Sequence, residues 1–218
     1  MSRLILSNDY VKIYDDFLPK EAFEPLLARA SSDSYSIVHQ DSWQKSWRHS
    51  DGLPLSGTSV SDQTVVRDVV LSAFVEALRN AAADAEAVIG RRGDEWDSIT
   101  FKPYVHPLGC GLSLHRDLPS SFAYYLHHAW NFHWGGHLLV FDPGERLGLC
   151  ESFLSDAKES RIVSEPGLAL CVLPKPNRLV FLRRDTYHMV TRVDARAGDR
   201  PRVSIAGFFL ARPAGESS

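Results

Sequence analysis

Leu112-Ser113-Leu114-His115-Arg116-Asp117 alternates apolar and polar residues, so on a strand Ser113, His115 and Asp117 project to one face. An imidazole and a carboxylate on what should be the buried face of a strand require compensation, because an unpaired charge out of water is costly. A metal ion would supply it. His-x-Asp alone equally describes a surface strand, so the surrounding chain has to decide.

Downstream, Tyr187-His188-Met189-Val190 follows the apolar run Leu179-Val180-Phe181-Leu182, which puts His188 at the start of another strand. Arg202-Val203-Ser204-Ile205-Ala206-Gly207-Phe208-Phe209 then sets a cation and a hydroxyl two apart on one strand face. Two imidazoles and a carboxylate form the facial triad of non-haem Fe(II) oxygenases, with coordination positions left open. An inward-facing Arg with a Ser binds a dicarboxylic acid through charge-assisted, potentially bidentate hydrogen bonds.

The rest of the chain supplies a scaffold for these strands. Short β-branched or aromatic runs near 98–105, 111–117, 121–128, 136–142, 167–173, 178–183, 187–193 and 202–210 are separated by Gly, Pro, Asn and Asp. Before them, Val11 to Tyr14 reads as a short alternating strand, and a helix after Pro19 carries Phe23, Leu26 and Leu27 on one face. From Gln63 to Ile89, Val66, Val69, Val70, Ala73, Phe74, Ala77, Leu78 and Ala81 follow helical spacing up to Gly90. Helices first and many short strands afterwards predict an α+β protein with a β-sandwich or barrel packed on helices. A single domain over 1–218 is expected, with N-terminal helical support over about 1–95 and the β core over about 96–212. Residues 31–63 read as a long irregular segment and 143–166 as an insertion between strands.

Composition excludes several classes of function. Of 218 residues, 24 are Lys or Arg and 27 Asp or Glu, a formal charge of -3 that speaks against a nucleic-acid partner. Cys110, Cys150 and Cys171 are too few for a disulfide framework and lack C-x-x-C spacing. The start of the chain has no signal-peptide core, and no stretch is apolar enough to span a membrane, so a reduced, cytoplasmic setting is expected. The crowded histidines His127, His128, His133 and His137 fit no standard zinc spacing and are assigned to scaffold or surface. His127 shares a face with Tyr125 and could line a pocket there. Trp43, Trp47 and Arg48, in a polar loop, are candidates for substrate capture, because exposed aromatics are costly unless something packs on them. Arg116 and Lys175 are further candidates to pair with a substrate carboxylate.

The order His115-Arg116-Asp117, Trp134-Gly135-Gly136-His137-Leu138, His188 and Arg202-Val203-Ser204 resembles the prolyl 4-hydroxylase-like branch of the 2-oxoglutarate/Fe(II)-dependent dioxygenases. Lys102-Pro103-Tyr104, Tyr124-Tyr125-Leu126 and Tyr14-Asp15-Asp16-Phe17-Leu18-Pro19 are similar to it as well. The resemblance implies a double-stranded β-helix, or jelly-roll, with His115, Asp117 and His188 as iron ligands. It implies Arg202 as the partner of the distal carboxylate of 2-oxoglutarate, with Ser204, Tyr104 and Tyr125 beside it. The implied chemistry consumes O2, releases succinate and CO2, and returns a hydroxyl to a substrate C–H, with ascorbate as a supporting reductant. Because related halogenases lack the metal-binding carboxylate, Asp117 favours hydroxylation. The expected substrate is a small molecule, a free amino acid or a peptide. Two alternatives are an AlkB-type nucleic-acid demethylase, disfavoured by the negative charge, and a non-catalytic jelly-roll, disfavoured by the complete ligand set.

Overall fold

Leu179-Val180-Phe181-Leu182 is buried at all four positions, because a different layer covers each face of this strand. The computed structural model describes residues 2–38, 51–151, 156–164 and 168–212. Its strands are β1 (Arg3–Ser7), β2 (Val11–Asp15), β3 (Ser36–Ile37), β4 (Leu55–Ser56), β5 (Val60–Ser61), β6 (Ser98–His106), β7 (Leu112–Arg116), β8 (Ser121–Tyr125), β9 (Leu138–Pro143), β10 (Leu170–Val172), β11 (Leu179–Leu182), β12 (Thr186–Val190) and β13 (Arg202–Leu210). The helices are α1 (Lys20–Ser32), α2 (Val69–Asp84), α3 (Glu86–Ile89) and α4 (Asp156–Ser164).

The larger sheet runs β1-β2-β11-β8-β13-β6-β4-β3, with β5 also on β6, and the smaller runs β10-β9-β12-β7. All pairings between these strands are antiparallel. The sheets form a double-stranded β-helix. Val11, Ile13, Val180 and Leu182 from the larger sheet meet Leu138, Val140, Val172 and Val190 from the smaller. The alternate residues Leu179 and Phe181 join Phe101, Phe122 and Tyr124 under the helices instead. No helix among the described residues is long and apolar enough to cross a membrane.

Phe74 of α2 is the key of the helical layer. It is fully buried, with ring centroids 5.3 Å from Tyr124, 5.6 Å from Phe101 and 6.3 Å from Phe122. Phe74→Ala is expected to cost about 3–5 kcal/mol of unfolding free energy, measured by denaturant titration, because the three surrounding aromatic rings cannot close over the cavity.

Several sequence expectations need correction. The helix expected from Gln63 to Ile89 starts at Val69, after Asp68 accepts a 3.0 Å bond from the Leu71 N–H. The buried stripe is therefore Leu71, Phe74, Val75, Leu78 and Ala82, while Val69 is exposed. The helix also breaks at Ala85 before α3, and Gly90 follows with φ +85°. Val11 to Tyr14 does not alternate: all of β2 is buried, since the strand lies between β1 and β11 with both faces covered. Lys12 can be buried there because its Nζ reaches the Asp84 carboxylate at 2.9 Å.

The segment 31–63 contributes β3, β4 and β5 to the edge of the larger sheet, so the N-terminal part is not helical support alone. The insertion 143–166 contains α4, whose Ile162 packs with Leu114, Leu149 and Tyr187.

Candidate active site

β7 and β12 are neighbours, with His115 directly across from His188. Alternation along each strand turns both rings toward the inside of the jelly-roll, and their centroids lie 4.3 Å apart. Asp117, just past the end of β7, brings one carboxylate oxygen to 3.9 Å from Nε2 of His115 and the other to 3.5 Å from Nε2 of His188. The three ligand atoms lie within 4.8 Å of one another.

The orientation of each ring is fixed from behind. Nδ1 of His115 is 2.7 Å from the Ser113 carbonyl and Nδ1 of His188 is 3.0 Å from the Thr186 carbonyl. A carbonyl can only accept, so each Nδ1 donates to it and each Nε2 is turned toward Asp117, the usual arrangement behind a metal-ligating histidine. Burial, reinforced by the His188 ring and opposed by Asp117, pushes His115 down to about 4, so its ring is neutral at ordinary pH. Two imidazoles and a carboxylate around one point are the donor set that suits Fe(II).

The same cavity, about 160 Å³ in volume, is also lined by Tyr104, His106, Arg202 and Ser204. Arg202 is 3% exposed. One of its terminal nitrogens donates to Ser204 Oγ at 3.2 Å and lies 3.5 Å from Nδ1 of His106. Its guanidinium carbon lies 5.0 Å over the Tyr125 ring. No carboxylate among the described residues pairs with it. A buried guanidinium without a counter-ion is costly, so the cavity is built for an anion. Tyr104 remains protonated, because burial and the Asp117 charge both raise its phenol.

Other predicted residues go elsewhere. Arg116 points to the opposite face from His115 and is tied to Asp185 at 2.6 Å and to the Cys150 carbonyl, so it fastens a turn rather than facing the cavity. Lys175 is bound to Asp15 at 2.9 Å, beside Arg178 at 2.6 Å. Burial alone would raise the Asp15 carboxyl, but these two cations outweigh it and hold it low. His127 stacks on Trp130 near Arg202. His128 and His133 are exposed, and His137 Nε2 meets the Phe132 carbonyl at 3.0 Å, as scaffold and surface residues would. Trp43, Trp47 and Arg48 lie outside the described residues.

Two residues were missed. His106, two past Tyr104 on β6, shares its face, and strand alternation could have found it. Asp51, which accepts a 2.6 Å bond from Ser113 Oγ and acts electrostatically on His115, reaches the site only through tertiary folding.

Residues 101–210 match the family model of the 2OG-Fe(II) oxygenase superfamily. No curated protein sequence matches the chain. Among solved structures, a prolyl-4-hydroxylase from Pseudomonas putida is similar at 16% identity and TM-score 0.62, with 94% of each chain covered. A prolyl hydroxylase from Trichoplax adhaerens, in complex with a hypoxia inducible factor peptide fragment, has 17% identity and TM-score 0.61 over 93% of this chain and 84% of that one. The epimerase SnoN, in complex with Fe3+, alpha ketoglutarate and nogalamycin RO, has 15% identity and TM-score 0.60 over 96% and 88%.

Proposed function

The chain belongs to the 2OG-Fe(II) oxygenase superfamily, and on that premise we propose that it hydroxylates a C–H bond of a small molecule, free amino acid or peptide. One observation carries this reading: three metal-ligand side chains and a buried guanidinium, with no carboxylate partner among the described residues, line a single cavity.

His115, Asp117 and His188 would hold Fe(II), and Arg202, Ser204, Tyr104 and Tyr125 would hold the distal end of 2-oxoglutarate. Bound there, iron and 2-oxoglutarate supply the oxidation of a C–H bond by O2, with succinate and CO2 released. The protein's part is positional. His115 and His188 present Nε2 from adjacent strands and Asp117 closes the triangle, so these three side chains would hold the ion between them. Arg202 orients a dicarboxylic acid along the cavity, and its flat fork with Ser204 suits a carboxylate better than a lysine would. Leu112, Leu138, Leu182 and Val190 line the cavity and keep bulk water from the reacting atoms. Ser121, Ala123 and Ala206 are small and line the same cavity, which leaves it room for a substrate carbon.

The formal charge of -3 favours a small molecule or peptide over a polyanion. The test is succinate release by the full chain with Fe(II), 2-oxoglutarate and a panel of amino acids, peptides and small metabolites. A substrate that raises succinate output at least about tenfold, and gains one oxygen by mass spectrometry, is the expected result. Succinate output that stays at the no-enzyme level for every mixture would overturn the reading.

A further inference from the structure

Arg202 has a partner on each flanking strand. β13 pairs with β6 so that Arg202 lies across from His106 and Ser204 across from Tyr104, and with β8 so that Ser204 lies across from Tyr125. The 3.0 Å bond from the Leu126 N–H to the Val203 carbonyl carries the second register one pair further and sets His127 across from Arg202. Side chains two apart share a strand face, so two rows of three result: His106, Arg202 and His127, then Tyr104, Ser204 and Tyr125.

The His127 ring is held in this row from two sides, with its centroid 5.0 Å from that of Trp130 and 6.2 Å from that of Tyr125. Trp130 itself closes on Arg202 over Gly136, where a Cβ would lie 2.8 Å from Arg202 Cδ and 3.4 Å from the Trp130 ring. Gly136 also has φ +66°, so the close approach and the backbone both call for glycine.

His127 is 7% exposed, yet neither of its ring nitrogens has a hydrogen-bond partner among the described residues. Nε of Arg202 is equally bare. Native interiors seldom leave buried polar groups unsatisfied, and two such groups on facing residues, one of them a cation, mark the place of an acceptor. Burial first, and then the Arg202 charge, push the His127 imidazole down to about 3. The ring is therefore neutral, with one N–H to give and no second positive charge to crowd the guanidinium.

Resting on the assignment of Arg202 to the cosubstrate, we propose that His127 is a specificity-determining residue that donates its ring N–H to the distal carboxylate of the bound 2-oxo diacid. Arg202 with Ser204 then serves that carboxylate from β13 and His127 serves it from the extension of β8. The site selects a five-carbon diacid over shorter or monocarboxylic 2-oxo acids by donors on two strands rather than one.

The experiment measures binding, not turnover. The full chain loaded with Ni(II), which does not support the oxidation, is titrated calorimetrically with 2-oxoglutarate and with 2-oxobutyrate, which has the same metal-chelating end and no distal carboxylate. His127→Phe keeps a ring against Trp130 and removes the donor, and His127→Gln keeps a donor. His127→Phe is expected to weaken 2-oxoglutarate binding about tenfold, the worth of one hydrogen bond to a charged group, and to leave 2-oxobutyrate unchanged. His127→Gln is expected to recover most of the loss. Should phenylalanine prevent folding, His127→Met serves as the donor-free variant. Unchanged 2-oxoglutarate affinity in the donor-free variant, or equal loss for both acids, overturns the proposal and leaves His127 as packing for Trp130. A parent protein that binds no 2-oxoglutarate withdraws the cosubstrate assignment itself, and the role of His127 with it.

Discussion

Asp117→Ala is expected to lower the affinity for Fe(II) by more than a hundredfold and to reduce 2-oxoglutarate-dependent succinate formation to background. Substituting a residue that merely orients a ligand typically costs 10–100-fold, and Asp117 is the only carboxylate among the three clustered ligands. The fold should survive. Asp117 lies just beyond β7, and its removal strands no buried cation, since burial already keeps His115 neutral. Metal titration followed by thermal unfolding separates the two effects. The parent should gain thermal stability with metal, because a ligand that binds only the native state stabilises it by mass action. The variant should start from a similar midpoint and gain nothing. A variant that bound iron and turned over 2-oxoglutarate like the parent would remove the triad from the mechanism.

The second large effect falls on Arg202. Arg202→Ala is expected to weaken 2-oxoglutarate binding by about two to three orders of magnitude, the usual consequence of truncating one side of a buried charge pair, about 2–5 kcal/mol. Metal affinity should not change, since Arg202 is not among the clustered ligands. Without ligand the variant should be no less stable than the parent, because Arg202 is a buried cation that no carboxylate among the described residues compensates. Added 2-oxoglutarate should raise the unfolding temperature of the metal-loaded parent and not of the variant. Arg202→Lys should fall between them, keeping the charge and losing the planar fork. An unchanged 2-oxoglutarate requirement in Arg202→Ala would place the cosubstrate elsewhere.

These expectations began as local patterns, and strand alternation explains why they were legible. With a period of two, Leu112 to Asp117 assigns faces without knowledge of the partner strand, and Arg202 to Phe209 does the same. The eight core strands are short runs bounded by Gly, Pro, Asn and Asp, and their observed limits lie within a few residues of those read from the sequence. Periodicity alone was weaker for α2. Its apolar residues are dense enough to admit two neighbouring stripes, and packing against the sheet, rather than the pattern, decided which one is buried. The role of Arg116 was misread for a related reason. Its face was readable by alternation, but its partner Asp185 lies 69 positions away along the chain.

The sequence by itself determined the type and order of the core strands, the faces they present and the residue types suited to iron. Those properties depend on backbone period and side-chain chemistry, which are local. Only the tertiary structure decided that His115 faces His188 on a neighbouring strand, that Arg116 and Lys175 are committed to ion pairs, and that His106, Arg202 and His127 form one row. Each of these is a choice of partner between segments distant in the chain. It is fixed by sheet register and by which charges burial forces together, and no local pattern encodes either.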